Sequence, residues 1–356
     1  SRLRTTLTVT LRQVWPTAAA GGLLVALYTL SDFGAVALMR YEAFTLAIYG
    51  SYRGLLDRTP AAVFGLVLVV LAVALTVSER RVRRGATARI GSGAPRPAAP
   101  VPLGRQRWTA LAFLAVVLTV GVGVPLAGLA RWLWFSQQAA IDWAGIWTAT
   151  TYTLWVAALG ALLTTALALP VGILAARSTS PVSRFTESAA YVGFALPGIT
   201  VGLALVFFGI RLLPQWYQHT PMLVMGYAVL FLPLAVGSIR AAVASIPLGL
   251  EDASATLGSG RMRTGIRVMI PLAAPGVVAG AALAFLTIAK ELPATLLLVP
   301  IGEDTLASRM WKYTETLEYG SAAPYAAILV LVAALPSLVL GRLLRGRVDA
   351  ESGGEE

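Results

Sequence analysis

Residues 246 to 271 read IPLGLEDASATLGSGRMRTGIRVMIP, Ile246 through Pro271, a polar interval between two long apolar runs. Pro247 suits the first turn of a helix, where its missing N–H costs nothing. Glu251 and Asp252 fall early enough to face the positive end of that helix. Gly258 can take the left-handed conformation that ends it. The stretch therefore predicts a short helix lying at the surface between two membrane spans. Its small residues Ala253, Ser254 and Ala255 would let another protein pack close to the backbone, as a helix seated in a cleft requires. Composition alone leaves a second reading open, an amphipathic loop with no partner.

Outward from this interval, eight apolar runs come near the roughly 20 residues that cross a bilayer. They lie at 14–38, 60–78, 108–134, 147–176, 187–212, 221–245, 269–298 and 321–341. Of the 356 residues, 57% are hydrophobic and only 13% charged, too little polar surface for an ordinary soluble domain. Backbone groups in lipid must satisfy one another within a segment, so the expected class is all-α, a polytopic membrane protein with about eight transmembrane helices. Lipid is its first partner. The net charge of +11 sits in short connections between spans, which favours a membrane protein over a nucleic-acid binder. With no cysteine, disulfide and thiolate chemistry is excluded. His219 is the only histidine, beside Trp216 and Tyr217, and reads as a polar loop residue. No metal site is expected.

About 20 of the 28 Lys and Arg residues fall on one side of the alternating spans, which marks that side as cytoplasmic. It holds the linker, the turn with Arg177 and Arg184, the connection from Arg240 to Arg267, and a tail with Arg342, Arg345 and Arg347. The linker, from Ser78 to Arg107, is rich in Arg, Pro, Gly and Ala and cannot bury a core. Residues 16–38 align with 275–297, pairing Pro16 with Pro275, Gly21 with Gly280, Asp32 with Glu291 and Ala35 with Ala294. Further on, Thr45-Leu46-Ala47 pairs with Thr305-Leu306-Ala307 and Ala61-Ala62 with Ala322-Ala323. The expected organisation is the end of a first unit at 1–79, a linker at 80–107, a complete second unit at 108–346 and a polar tail at 347–356. The chain begins at Ser1 without an initiator methionine, and the first unit is expected to have lost its opening spans.

A second polar interruption, Lys290-Glu291-Leu292-Pro293-Ala294-Thr295, sits in an apolar run. An ion inside the bilayer costs about 2.5 to 3.5 kcal/mol on insertion scales and usually turns toward protein or a water-filled path. One reading is a pathway or gate segment opened by Pro293, with Asp32 as the counterpart of Glu291. The other is an interhelical ion pair, or a span that has already reached the outer surface.

The stretch from Glu251 to Pro271 resembles the EAA loop of bacterial ABC importer permeases, which runs E-A-A, three residues, G, nine residues, then I-x-L-P. Here Asp252-Ala253-Ser254 takes the E-A-A place, Gly258 follows at the family spacing, and Val268-Met269-Ile270-Pro271 fills the end. Asp for Glu, Ser for the second Ala, and Val and Ile at the end are the departures. In that family the loop forms a coupling helix seated in a groove of the ATP-hydrolysing subunit, a role the resemblance carries to Glu251 through Gly258. With SDFGAV at 31–36, KELPATLLL at 290–298 and the following DTLA, the chain is similar to double-length ferric iron permeases. That resemblance implies the type I permease fold, one complete six-helix unit plus the last two helices of a preceding one. It also implies a bacterial inner-membrane location, a periplasmic substrate-binding protein and a pair of separate cytoplasmic ATPases. The linker, the EAA-like loop and the tail would be cytoplasmic.

The chain itself is not expected to be an enzyme. A phosphate-binding loop needs a Gly-Lys-Ser/Thr step, and the only lysines, Lys290 and Lys312, follow Ala289 and Trp311. ATP and Mg would therefore bind the partner ATPase, with no cofactor in this chain. Related permeases carry thiamine, sulfate or molybdate, so ferric iron is the narrower expectation. An ion-coupled secondary transporter using Lys290, Glu291 and Asp32 is the rival class. Gly21, Gly22, Gly160, Gly276 and Gly280 read as helix-packing points, and Trp132, Trp134, Trp143 and Trp147 as an aromatic belt. Arg309, Trp311, Lys312 and Tyr313 read as a solvated outer loop near Glu303 and Asp304.

Overall fold

The computed structural model describes residues 8, 11–54, 58–87, 104–136 and 141–334. Among the described residues the regular structure is entirely helical. In chain order the helices are α1 (Leu11–Ser31), α2 (Gly34–Leu38), α3 (Phe44–Gly54), α4 (Thr59–Thr87) and α5 (Gln106–Ser136). Next come α6 (Trp143–Arg177), α7 (Pro181–Ala190), α8 (Gly198–Leu212), α9 (Thr220–Ala244) and α10 (Leu248–Thr256). The described chain closes with α11 (Met262–Ala289), α12 (Pro293–Leu298), α13 (Leu306–Glu315) and α14 (Tyr319–Ala334).

Within the described residues, which take the last run only to Ala334, each of the eight apolar runs is found as helix, but not all as one straight span. Five are long and apolar enough to cross a membrane: α5, α6, α9, α11 and the Thr59–Glu79 part of α4. The run expected at 187–212 is broken, with Pro181–Gly193 meeting Gly198–Leu212 at 104°. Pro197 lies at the corner in extended backbone, where it cannot continue the preceding helix. Two shorter apolar helices, Ala18–Ser31 and Tyr319–Ala334, account for the remaining runs. Helix α4 continues to Thr87, into the segment expected to be linker, because its Arg-rich end carries no Pro or Gly before Gly85. Residues 88–103 and the tail from 335, with Arg342, Arg345 and Arg347, lie outside the described residues.

The internal repeat seen in the sequence has a structural counterpart. A long helix, a break, a very short helix, a loop, an amphipathic helix and another long helix follow one another as α1–α2–α3–α4 and again as α11–α12–α13–α14. Both copies feed one core. Val156, Ala157 and Ala161 of α6 pack with Met222, Leu223 and Tyr227 of α9 and with Ala284 and Ile288 of α11. Phe33, Ile48, Tyr49, Ala61 and Leu68 of the first copy join the same cluster. The join is aromatic: Phe33 and Tyr49 lie 5.2 and 6.1 Å from Trp311, ring centre to ring centre. Such pairs add about 0.5 to 1.5 kcal/mol each beyond the area they bury. Trp311 is thus a buried anchor on a helix, not part of a solvated loop.

The ion pairs among the described residues gather at helix ends, as a hydrocarbon middle requires. At one end Arg177 meets Glu251 and Arg240 meets Glu187. At the other, Arg309 and Lys312 share Asp304, Arg309 approaches Asp142, and Arg53 meets Glu315. The tryptophans expected to form a belt are exposed, with Trp132, Trp134, Trp143 and Trp147 all close to this second end. Of the glycines read as packing points, Gly160, Gly276 and Gly280 sit where a Cβ would press on Ile288, Ala242 and Ser238, whereas Gly21 and Gly22 face open space.

Candidate functional site

The surface helix foreseen at Ile246–Pro271 forms as α10. Pro247 stands just before it and its carbonyl accepts the N–H of Leu250 at 3.2 Å. At the other end Gly258 has φ +80°, and the N–H of Ser259 returns to the carbonyl of Ser254 at 3.1 Å. That six-to-one bond with a left-handed glycine is a Schellman stop, which satisfies a carbonyl the helix would otherwise orphan. The sequence chose glycine here because an L side chain at this φ is strained.

Two adjacent acids on α10 have different surroundings. Glu251 is turned inward, its Oε1 2.6 Å from Arg177 Nε at the last turn of α6. Asp252 is exposed, as are Ala253, Thr256 and Leu257. Ser254 faces inward and its hydroxyl lies 2.9 Å from that of Thr264 in α11. The side chain of Ala255 lies outside the described set. Leu250, Leu257, Met262 and Ile266 add exposed apolar area around α10. Pro271, near the start of the apolar part of α11, follows a widened turn at Gly265–Met269. Proline lacks the N–H for the regular ladder, and a widened turn accommodates that loss.

The second predicted site lies at the break between α11 and α12. Glu291 Oε1 accepts the N–H of Ala294 at 3.2 Å, so this carboxylate caps the N-terminus that Pro293 opens. It also lies against the first residue of α8: a Cβ on Gly198 would stand 2.6 Å from Glu291 Oε1. The carboxylate thus sits at the N-terminus of α12 and close beside the start of α8, with Lys290 the adjacent cation. Lys290, one residue away, is exposed. Thr295 is fully buried; its hydroxyl donates to the carbonyl of Glu291 at 2.7 Å and meets the hydroxyl of Tyr227 at 2.8 Å. In this conformation Thr295 has no exposed surface. Asp32, at the equivalent break in the first copy, is partly exposed, and its carbonyl accepts the hydroxyl of buried Thr45 at 2.8 Å.

The residues at 303–313, read from sequence as a loop, are instead an organised end of the bundle. Thr305 caps α13 and exchanges bonds with Ser308 in a capping box. Asp304 holds Arg309 at 2.8 Å and Lys312 at 2.7 Å. Burial works against the Arg309 charge, but hydrogen bonding and charge from Asp304 outweigh it and raise its pKa above the ordinary value. Arg177, Tyr227, Gly198 and Asp142 were missed as site residues by sequence reasoning. An arginine closing a long apolar helix is the one signal that was legible, in Arg177. Among the described residues, no group of three or more His, Asp and Glu could hold a metal ion. His219 is an exposed loop residue bonded to the carbonyl of Tyr217.

Residues 168–349 match the family model described as binding-protein-dependent transport system inner membrane component. The Fe(3+)-transport system permease protein FbpB 2 of Haemophilus influenzae is 32% identical over 92% of this chain. This chain spans 66% of that protein's length. The molybdenum transport system permease protein ModB of Escherichia coli is 31% identical over 58% of this chain and 96% of its own. Among solved structures, a bacterial ABC transporter involved in the import of the acidic polysaccharide alginate covers 68% of this chain and 96% of its own, at 16% identity and a TM-score of 0.53. That likeness is one of fold.

Proposed function

The chain belongs to the family of binding-protein-dependent transport system inner membrane components, and on that premise we propose that it is the membrane-spanning permease of an ATP-driven importer whose ATPase docks on α10. The observation that carries the reading is α10 itself. It is a short helix ended by a left-handed glycine, fastened inward through Glu251 and Ser254, with Asp252, Ala253, Thr256 and Leu257 left outward. A helix with its inner face anchored and its outer face small and free is suited to a cleft in another protein.

In this reading two cytoplasmic ATPase subunits bind ATP and Mg and close on each other. That closure displaces the coupling helix. The bundle then rocks between inward-open and outward-open states, a population shift driven by differential contact with the two ATPase states. A periplasmic binding protein delivers the solute to the end that carries α13. Glu251, Asp252, Ala253, Ser254, Ala255, Gly258 and Pro271 belong to the coupling element. Lys290, Glu291, Pro293 and Asp32 border the pathway, with Thr295 fixing the backbone beside it. The linker, α10 and the tail face the cytoplasm.

The proposed solute is ferric iron, supported by the relative whose match extends over most of the chain. Affinity for the metal would reside in the binding protein, which fits a permease with no cysteine and one histidine. A molybdate-type oxyanion is the second reading, favoured by the ModB match over the second unit. The test is uptake into proteoliposomes of the permease in its full natural length with its own ATPase and binding protein, with ferric iron, molybdate and thiamine offered in competition. ATP-dependent iron uptake supports both class and solute. ATP-dependent uptake of another solute keeps the class and overturns iron, and uptake indifferent to ATP but dependent on an ion gradient overturns the class.

A further inference from the structure

Arg177 ends α6, and its guanidinium reaches across to the entry of α10 at two points. Nε meets Glu251 Oε1 at 2.6 Å, and Nη2 donates to the carbonyl of Ile246 at 2.8 Å. Those two acceptors lie on either side of Pro247, so one side chain brackets the turn that sets where α10 points. Both side chains of the pair are mostly covered, 16% exposed for Arg177 and 27% for Glu251. The bond to the Ile246 carbonyl is charge-assisted and so stronger than a neutral one, the contact with Glu251 is an ion pair without hydrogen-bond alignment, and together they fix the planar guanidinium at two points. A lysine could keep one of the two contacts but not both.

The helix that Arg177 ends has its other terminus at the opposite end of the bundle. α6 runs for 35 residues and is capped at its start by Asp142, whose carboxylate accepts the N–H of Gly145 at 2.8 Å. The same carboxylate lies 3.8 Å from Arg309 of α13. Along its length α6 packs on α9 and α11 in the central core. The contact of α10 with α11 is weaker in kind, a bond between the hydroxyls of Ser254 and Thr264.

Resting on the importer reading above, we propose that Arg177 is the positioning residue that makes α10 and α6 move as one body, so that ATPase closure is delivered to the far end of the bundle. Without the guanidinium, α10 could follow the ATPase while α6 stays behind, and hydrolysis would run without transport. Asp252 and Glu251 then divide the work of two neighbouring acids: Glu251 holds the permease side, and Asp252 remains for the partner.

The test uses the complete transporter in proteoliposomes and compares wild type with Arg177→Gln and Arg177→Lys. The readouts are ATPase co-purification, hydrolysis without binding protein, and solute taken up per ATP. Expected for Arg177→Gln is an ATPase that still co-purifies and hydrolyses within about twofold of wild type, with uptake per ATP reduced about tenfold, within the range of measured coupling. Arg177→Lys should recover part of that ratio. Wild-type uptake per ATP in Arg177→Gln would overturn the proposal, as would a loss of ATPase binding or a defect that lysine leaves unrelieved, since either makes Arg177 a docking or folding residue. A wild-type complex that binds no ATPase would overturn the importer reading itself, an outcome distinct from a failure confined to Arg177.

Discussion

The hydroxyls of Tyr227 and Thr295 lie 2.8 Å apart in the core, on helices α9 and α12, with essentially no exposure of either side chain. Thr295 already donates to the carbonyl of Glu291, so the proton between the two hydroxyls comes from Tyr227. The pair is asymmetric. Thr295→Val should leave a buried Tyr227 O–H without an acceptor and cost about 1 to 3 kcal/mol, whereas Tyr227→Phe removes the donor itself and should cost about 0.5 to 1.5 kcal/mol. Thermal unfolding of both variants in detergent checks this; equal losses, or a larger loss for Tyr227→Phe, would contradict the assignment of donor and acceptor.

Gly198 leaves room for the Glu291 carboxylate, which a Cβ would approach to 2.6 Å. Gly198→Ala should push that carboxylate off the N-terminus of α12 and destabilise by about 1 to 3 kcal/mol, the usual cost of overpacking. Gly21→Ala is the control, since nothing lies within 4 Å of its added methyl. In a helix interior that change should be neutral or gain up to about 1 kcal/mol. A melting comparison of the two in one detergent decides it.

Gly258, at φ +80°, should accept asparagine far better than a β-branched residue. Gly258→Asn is expected to keep ATPase co-purification near wild type, and Gly258→Val to lose most of it by unwinding the stop of α10. Retention by both variants would show that α10 does not need its present end to dock.

Asp304 is mostly covered and serves two cations, while Lys312 is more than half exposed. Asp304→Ala should therefore cost about 1 to 3 kcal/mol by removing the hydrogen bond and charge that hold Arg309, which among the described residues keeps only the more distant Asp142 as an ion-pair partner. Lys312→Ala should cost no more than about 1 kcal/mol, because exposed pairs are screened and entropically opposed. Denaturation at low and high salt separates them: raising salt should erase the Lys312 effect and leave most of the Asp304 effect.

Much of this protein was legible before any coordinates. Apolar length gave the spans, because a backbone in lipid must bond within its own segment. Pro247 and Gly258 gave the bounds of α10, because a missing N–H and a left-handed φ are local properties of single residues. The order of Pro, Gly, acid and loop gave the repeat that α1–α4 and α11–α14 share. The 104° corner at Pro197 was less legible: Pro170, Pro233 and Pro275 lie within helices here, so a proline by itself does not mark a corner. The 303–313 region misled for a different reason. Its charges suggested a solvated loop, yet the buried face of α13 is carried by Leu306, Ala307 and Trp311, whose partners Phe33 and Tyr49 lie far away in sequence.

What the sequence determined by itself, then, is where the long apolar helices lie and the surface helix between two of them. What only the tertiary structure decided is which polar group answers which. Two adjacent acids, Glu251 and Asp252, are alike as letters, and one is taken by Arg177 while the other is left free. Glu291 and Lys290 are neighbours, and the acid accepts the N–H of Ala294 in a pocket that Gly198 leaves open while the lysine stays exposed. The physical reason is range. Turn chemistry and hydrophobic length act within a few residues, but the partner of a charge is fixed by the packing of segments such as Arg177 and Ile246, 69 residues apart in the chain and 2.8 Å apart in space.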